Sequence, residues 1–83
     1  MQFRILIVDD EEVIRNSIAL YLRREDYQVD VCTTGEEGLR RVEEVGPDLV
    51  LLGVQLPAVG GLDVLKRAKV LKDDLVVIVM TAF

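Results

Sequence analysis

The feature of this sequence that most constrains its fold is the alternation of two hydrophobic periodicities. Four short aliphatic runs, typical of buried strands, are separated by longer stretches with apolar residues at helical spacing. The pattern predicts strands at residues 3–8, 28–32, 48–54 and 75–80, and helices at 11–24, 35–45 and 61–72. Each link between successive strands is long enough for a helical crossover, so the strands should be parallel and their connections right-handed. We therefore expect an α/β fold, a doubly wound parallel sheet of order β-α-β-α-β-α-β with helices on both faces.

Local signals refine this expectation. The second predicted strand alternates Val29 and Val31 with polar neighbours, which favours an edge strand, and the third is almost wholly apolar, which favours a central one. Thr34 is the predicted N-cap of the second helix, and Gly46 should end that helix. The predicted apolar stripe of the first helix is Val13, Ile14, Ile18, Tyr21 and Leu22, and that of the third helix is Val64, Leu65, Ala68 and Leu71.

Composition excludes several classes of protein. The 83-residue chain is 51% hydrophobic with one Cys, which excludes a disordered tail and a disulfide scaffold. Its formal charge of -5 repels phosphate backbones, so direct nucleic-acid binding is not expected. One Cys and no His exclude a zinc site and a Ser–His or Cys–His relay. No apolar run is long enough to span a membrane and no opening segment resembles a signal peptide, so we expect a cytoplasmic protein without a membrane partner.

Polar residues at the carboxyl ends of the predicted strands form the candidate site, because ligands gather there in open parallel sheets. Asp9 and Asp10 follow the first strand, Gln55 follows the third and Thr81 follows the fourth. Adjacent carboxylates could begin a Mg²⁺ site, or they could simply favour the start of a helix. Thr81 could offer a hydroxyl to a phosphoryl oxygen or be an ordinary strand residue. The spacing leaves both pairs of alternatives open.

Two further features favour structural over chemical roles. Cys32 lies in or beside an edge strand with no basic neighbour to lower its pKa, so packing is favoured over catalysis. Gly60 and Gly61 precede a helix, but no phosphate-binding glycine motif accompanies them, which favours a plain turn.

Several segments together resemble one family. They are ILIVDDEE at 5–12, PDLVLL at 47–52, QLP at 55–57, GLDVL at 61–65 and VIVMTAF at 77–83. In this order and spacing they resemble the receiver domain of bacterial two-component response regulators, and the last segment looks like the nitrogen-regulatory activator branch. Each segment alone is weakly specific, whereas the set is highly specific and spans the whole chain.

The resemblance implies a flavodoxin-like fold and a phosphorelay signalling role rather than an enzymatic one. In the family, a histidine kinase donates a phosphoryl group to an Asp at the end of the third strand, and an acidic pair holds the required Mg²⁺. By resemblance, Asp9 and Asp10 match the acidic pair, with Asp10 the more direct ligand, and the backbone carbonyl of Gln55 completes the metal site. Thr81 matches the hydroxyl that binds the phosphoryl group and acts as the switch.

The chain departs from the family at the acceptor position, which is Gly53. Glycine has no side chain to phosphorylate, so the expectation is a phosphorylation-incompetent receiver without a catalytic residue, weakened in Mg²⁺ binding, that acts as an interaction module. The family's fourth helix, fifth strand with its Lys, and fifth helix have no counterpart in the 83 residues, so residues 1–83 are interpreted as a C-terminally truncated receiver.

The last predicted strand would then expose its edge, and self-association into a homo-oligomer, such as a dimer, is expected. Two alternatives remain. One is a Mg²⁺-binding receiver with residual phosphorylation on Asp9 or Asp10. The other is a flavodoxin-like nucleotide-binding domain, which the absence of a phosphate loop disfavours.

Overall fold

All four predicted strands and all three predicted helices form in the computed structural model, which describes residues 2–81. The elements are β1 (Arg4–Val8), α1 (Glu12–Arg24), β2 (Gln28–Cys32), α2 (Gly35–Val45), β3 (Leu49–Gly53), α3 (Gly61–Leu71) and β4 (Val76–Met80). Every adjacent pair of strands is parallel, and the strand order is β2-β1-β3-β4. The doubly wound α/β fold is confirmed. Because the chain reverses its direction of winding between β1 and β3, the carboxyl ends of these two strands border a crevice.

The strand positions agree with the residue patterns. β2 lies at one edge of the sheet, as its alternation predicts, and β3 lies between β1 and β4. Ile7 of β1 and Leu52 of β3 are fully buried, because helices cover both faces of the central strands. β1 begins at Arg4 rather than at residue 3, and the Phe3 ring instead packs edge to face on Tyr27, with ring centroids 5.9 Å apart.

Two apolar cores lie on opposite faces of the sheet. The core under α1 contains Ile5, Ile7, Ala19 and Val29. The core under α2 and α3 is larger, and its buried members are Leu6, Val8, Cys32, Val42, Val50, Leu52, Val64, Ala68 and Leu75.

Three residues of the predicted apolar stripes lie in solvent. Val13 and Tyr21 of α1 are 77% and 62% exposed, and Leu71 of α3 is 46% exposed. Helical spacing selects a broad stripe, but α1 packs mainly on β1 and β2, so the part of the stripe that faces away from these strands stays in solvent. Ala19, which the stripe did not include, is the residue that α1 buries fully.

The boundaries of α2 are those expected from its sequence. The Thr34 hydroxyl accepts a hydrogen bond from the backbone N–H of Glu37 at 3.2 Å, so Thr34 is the N-cap. Gly46 ends the helix in the left-handed conformation, with φ of 66°.

β4 forms the second edge of the sheet. Val76 and Ile78, on the face that α1 covers only in part, are 53% and 49% exposed. Ala82 and Phe83, which contribute to the family resemblance, lie outside the described residues. Within residues 2–81, none of the helices is both long and apolar enough to cross a membrane.

Candidate functional site

A cavity of about 130 Å³ lies at the carboxyl ends of β1, β3 and β4. The polar candidates from the sequence, Asp9, Asp10, Gln55 and Thr81, all line it, together with Gly53. They meet because the three strands are neighbours and run parallel, so their carboxyl ends share one edge of the sheet. The remaining lining residues are Glu11, Ile14, Val54 and Met80.

Asp9 is the most firmly held residue of the site. It is only 8% exposed, and its Oδ1 accepts a hydrogen bond from the backbone N–H of Glu11 at 2.8 Å. Its own N–H donates to the carbonyl of Cys32 at 3.1 Å, and its carbonyl accepts from the Arg15 guanidinium at 3.1 Å. The Asp9 carboxylate therefore orders the entry to α1 and also borders the cavity.

Asp10 differs from its neighbour in exposure. It is solvent-exposed, and it takes part in neither of the ion pairs that the described residues form. A carboxylate that lines a cavity without a protein partner keeps its charge available to a cation.

Gly53 closes β3 at the floor of the cavity and is buried. A Cβ placed on Gly53 would lie 3.2 Å from Oδ2 and 3.3 Å from Cγ of Asp9, and 3.4 Å from the carbonyl oxygen of Val8. The Asp9 carboxylate thus rests against the place where any other residue at position 53 would begin its side chain. At this position the chain contributes only backbone atoms to the site.

The segment after β3 is held close to the sheet. The N–H of Val54 donates to the carbonyl of Met80 at 3.0 Å, and the carbonyl of Val54 accepts from the N–H of Gly61 at 2.9 Å. A Cβ on Gly61 would collide with the carbonyl oxygen of Gly53 and lie 2.8 Å from Cα of Val54. Gly61 therefore allows α3 to begin directly against the backbone of the site.

The oxygens of the site are those that a hard cation prefers. Three acidic residues, Asp9, Asp10 and Glu11, line the cavity together with Gln55 and Thr81. Mg²⁺ is commonly bound by one or two carboxylates with several waters retained. Among residues 2–81, no group of three His, Cys, Asp or Glu is arranged to hold a metal ion. The donor set fits a Mg²⁺ ion held by few protein ligands, and Asp9, Asp10 and Gln55 are the residues that would hold it.

Cys32 ends β2 and is buried in the larger core. Burial, reinforced by the negative charge of Glu37, raises the pKa of the Cys32 thiol to about 11. The thiol is therefore protonated at neutral pH and is a poor nucleophile, in keeping with the packing role predicted from the sequence.

Sequence reasoning did not single out Arg15 or Met80. Arg15 holds the carbonyl of Asp9 from the first turns of α1, and Met80 forms an apolar wall beside Gly53. The position of Met80 at the end of a strand was a usable signal. Nothing in the local sequence distinguishes Arg15 from the other surface arginines, because its contact depends on the path of the β1–α1 turn.

Comparison with known proteins gives a consistent result. The family model described as "Response regulator receiver domain" matches residues 5–83. Sporulation initiation phosphotransferase F of Bacillus subtilis is 40% identical over 83 residues, which is all of this chain and 67% of that protein. Transcriptional regulatory protein TrcR of Mycobacterium tuberculosis is 38% identical over 66 residues, covering 80% of this chain and 26% of that protein.

Among solved structures, a CheY-like response regulator receiver domain protein from Methanospirillum hungatei superposes with a TM-score of 0.96. It is 34% identical, and the match covers all of this chain and 66% of that one. This chain therefore spans about two thirds of the phosphotransferase and of the Methanospirillum hungatei chain, and about a quarter of TrcR. With the four-stranded parallel sheet, its three helices and the match over nearly the whole length, the chain belongs to the response regulator receiver domain family of two-component systems.

Proposed function

We propose that this chain is a receiver domain that does not accept a phosphoryl group on an aspartate and that acts through contacts with other proteins. The observation that carries the proposal is Gly53, at the floor of a cavity that Asp9, Asp10 and Thr81 also line. Phosphoryl transfer to a receiver needs a carboxylate nucleophile at that place, and glycine supplies none. Receiver domains interact with histidine kinases, and in this proposal a kinase would bind the chain without transferring its phosphoryl group.

The remaining acids are poorly suited to replace the nucleophile. Asp9 is 8% exposed and its Oδ1 is engaged by the N–H of Glu11, so both access and lone-pair availability are reduced. Asp10 is accessible, but a phosphoryl group on Asp10 would remove the more available carboxylate from the metal that the transfer requires. When bound, Mg²⁺ would neutralise charge on the transferring phosphoryl oxygens. Residual phosphorylation on either acid is therefore the less favoured alternative.

The proposal is tested by incubating the chain with acetyl phosphate and Mg²⁺ and measuring its intact mass. We expect no adduct on the natural chain and one phosphoryl group on the Gly53→Asp variant, mapped to position 53. Gly60→Asp is the matched control, because a Cβ on Gly60 meets nothing within 4 Å and Gly60 does not line the cavity. A phosphoryl group mapped to Asp9 or Asp10 of the natural chain would overturn the proposal.

Self-association through β4 is a second proposal, carried by the exposure of that edge. Val76 and Ile78 are about half exposed, and β4 contains neither a charged residue nor a proline. Natural sheet edges commonly carry such residues to prevent pairing. The opposite edge is different, because β2 contains Asp30, which forms an ion pair with Arg41 at 3.8 Å.

Sedimentation equilibrium over a concentration series tests this second proposal. A dimer is expected for the natural chain and a shift to monomer for Ile78→Lys, which places a charge in the middle of β4. Leu20→Lys is the control, since Leu20 is similarly exposed, at 54%, but lies on α1. A monomer at every concentration, or equal effects of the two substitutions, would contradict pairing through β4.

Within the family, we propose the nitrogen-regulatory activator branch from the resemblance of residues 77–83, of which 82 and 83 lie outside the described residues. A nucleotide-binding function of the flavodoxin type is disfavoured, because the turn after β1 is acidic and offers no glycine-rich phosphate loop.

A further inference from the structure

Asp9 and Asp10, the two adjacent acids of the site, differ in burial and in hydrogen bonding. The carboxylate of Asp9 is buried and accepts the N–H of Glu11, whereas the carboxylate of Asp10 is exposed and has no hydrogen bond to any described residue. The Glu11 N–H lies at the entry to α1, where Glu11 is the N-cap residue and makes no side-chain cap of its own. Asp9 therefore supplies the side-chain acceptor at the start of this helix.

A side chain at position 53 would come close to the Asp9 carboxylate. Its Oδ2 lies 3.2 Å from the point where a Cβ on Gly53 would be, which is closer than ordinary van der Waals contact between carbon and oxygen. The third nearest atom, the carbonyl oxygen of Val8, is at an ordinary contact distance of 3.4 Å. The side chain of Asp9 is thus the principal obstacle to a side chain at position 53.

We infer that Gly53 and Asp9 act as a coupled pair: the absence of a side chain at position 53 leaves room for the Asp9 carboxylate to accept the N–H of Glu11 at the border of the cavity. Gly53 is in this sense a positioning residue for Asp9, a role separate from the missing nucleophile. Asp9 thereby orders the β1–α1 turn.

A double-mutant cycle without metal tests the coupling, using Gly53→Ala, Asp9→Ala and the double variant. Gly53→Ala adds one methyl group and no ligand. We expect it to lower Tm by about 4 °C or more when Asp9 is present. In the Asp9→Ala background it should leave Tm unchanged or raise it, because the obstacle is gone and alanine is favoured over glycine inside a strand. Equal Tm shifts in the two backgrounds would overturn the inference.

An NMR measurement on the folded single variant gives an independent readout. In Gly53→Ala the amide proton of Glu11 should shift upfield and exchange faster with solvent, because displacement of the Asp9 carboxylate weakens its hydrogen bond. Gly60→Ala is the control and should leave the Glu11 amide unchanged, since a Cβ there meets no atom within 4 Å. An unchanged Glu11 amide in Gly53→Ala would contradict the positioning role.

Discussion

The two faces of the sheet carry similar apolar residues but are covered to different extents. On the face under α2 and α3, Leu52 and Leu75 are 0% and 1% exposed, whereas on the face under α1, Val76 and Ile78 are about half exposed. Two helices cover one face, and a single helix that packs mainly on β1 and β2 covers the other. Burial in this fold is therefore set by which helix lies over which strand, since β3 and β4 are apolar on both sides.

The largest expected effect contrasts one core residue from each face. Leu52→Ala should lower the free energy of unfolding by about 2–5 kcal/mol, because it leaves a cavity in a close-packed core. Ile78→Ala should cost about 1 kcal/mol, because roughly half of that side chain is already in water. Denaturant unfolding of both variants measures the difference. Similar losses would mean that β4 is covered in solution, as in a dimer, and re-measuring Ile78→Ala at several protein concentrations would separate the two cases.

The close approach of α3 to β3 gives the next effect. Gly61→Ala should destabilise the fold by about 1–3 kcal/mol, because the added Cβ overlaps the backbone of Gly53 and Val54. Gly60→Ala, one residue earlier in open space, should cost less, about 0.5 kcal/mol, because only the preference for glycine over alanine at the N-cap of α3 is lost. Thermal unfolding of the two variants checks the prediction, and a Gly61→Ala variant as stable as the natural chain would show that α3 can move away from the site.

Folding stability should depend on pH through Cys32, which is buried on the face under α2 and α3. The pKa of its thiol is about 11 in the folded chain against 9.0 for the free side chain, so the folded state retains the proton over a range in which the unfolded state loses it. Stability should therefore fall as pH rises above about 9, by about 1 kcal/mol at pH 10. The Cys32→Ala variant should lack this component. Parallel unfolding curves at pH 8 and pH 10 measure it, and an identical pH dependence in both chains would contradict it.

The smallest effect compares the helix starts. Thr34→Ala should cost about 1 kcal/mol, because α2 loses its side-chain cap. Glu11→Ala should cost less, since the side chain of Glu11 makes no cap bond to α1. Thr33→Ala, at an exposed neighbouring position, controls for the loss of a threonine. Equal losses for Thr34→Ala and Thr33→Ala in thermal unfolding would show that the cap bond contributes nothing measurable.

The candidate site was accessible from the sequence to the extent that it follows from strand ends. Asp9, Asp10, Gln55 and Thr81 were selected because they follow predicted strands, and the structure places all four around one cavity. The resemblance to receiver domains added their expected roles and drew attention to Gly53. The unequal burial of Asp9 and Asp10 was not predictable, because it depends on how the chain turns from β1 into α1.

The fold, like the site, was predictable in part from the sequence. Residue periodicity, which reflects only the geometry of a helix or strand, was enough to determine the order of elements, the edge position of β2 and the central position of β3. The cap of α2 at Thr34 was equally local, since its hydrogen bond joins residues three positions apart.

Only the tertiary structure decided which part of each apolar stripe is buried and how closely separate segments approach one another. It left Val13 and Tyr21 in solvent, brought the start of α3 against the backbone of Gly53, and set the Asp9 carboxylate where a side chain at position 53 would begin. The physical reason is the distance along the chain over which each effect acts. Propensity and periodicity act over one or two turns of chain, whereas these contacts join residues that are distant in sequence and meet only when the layers pack.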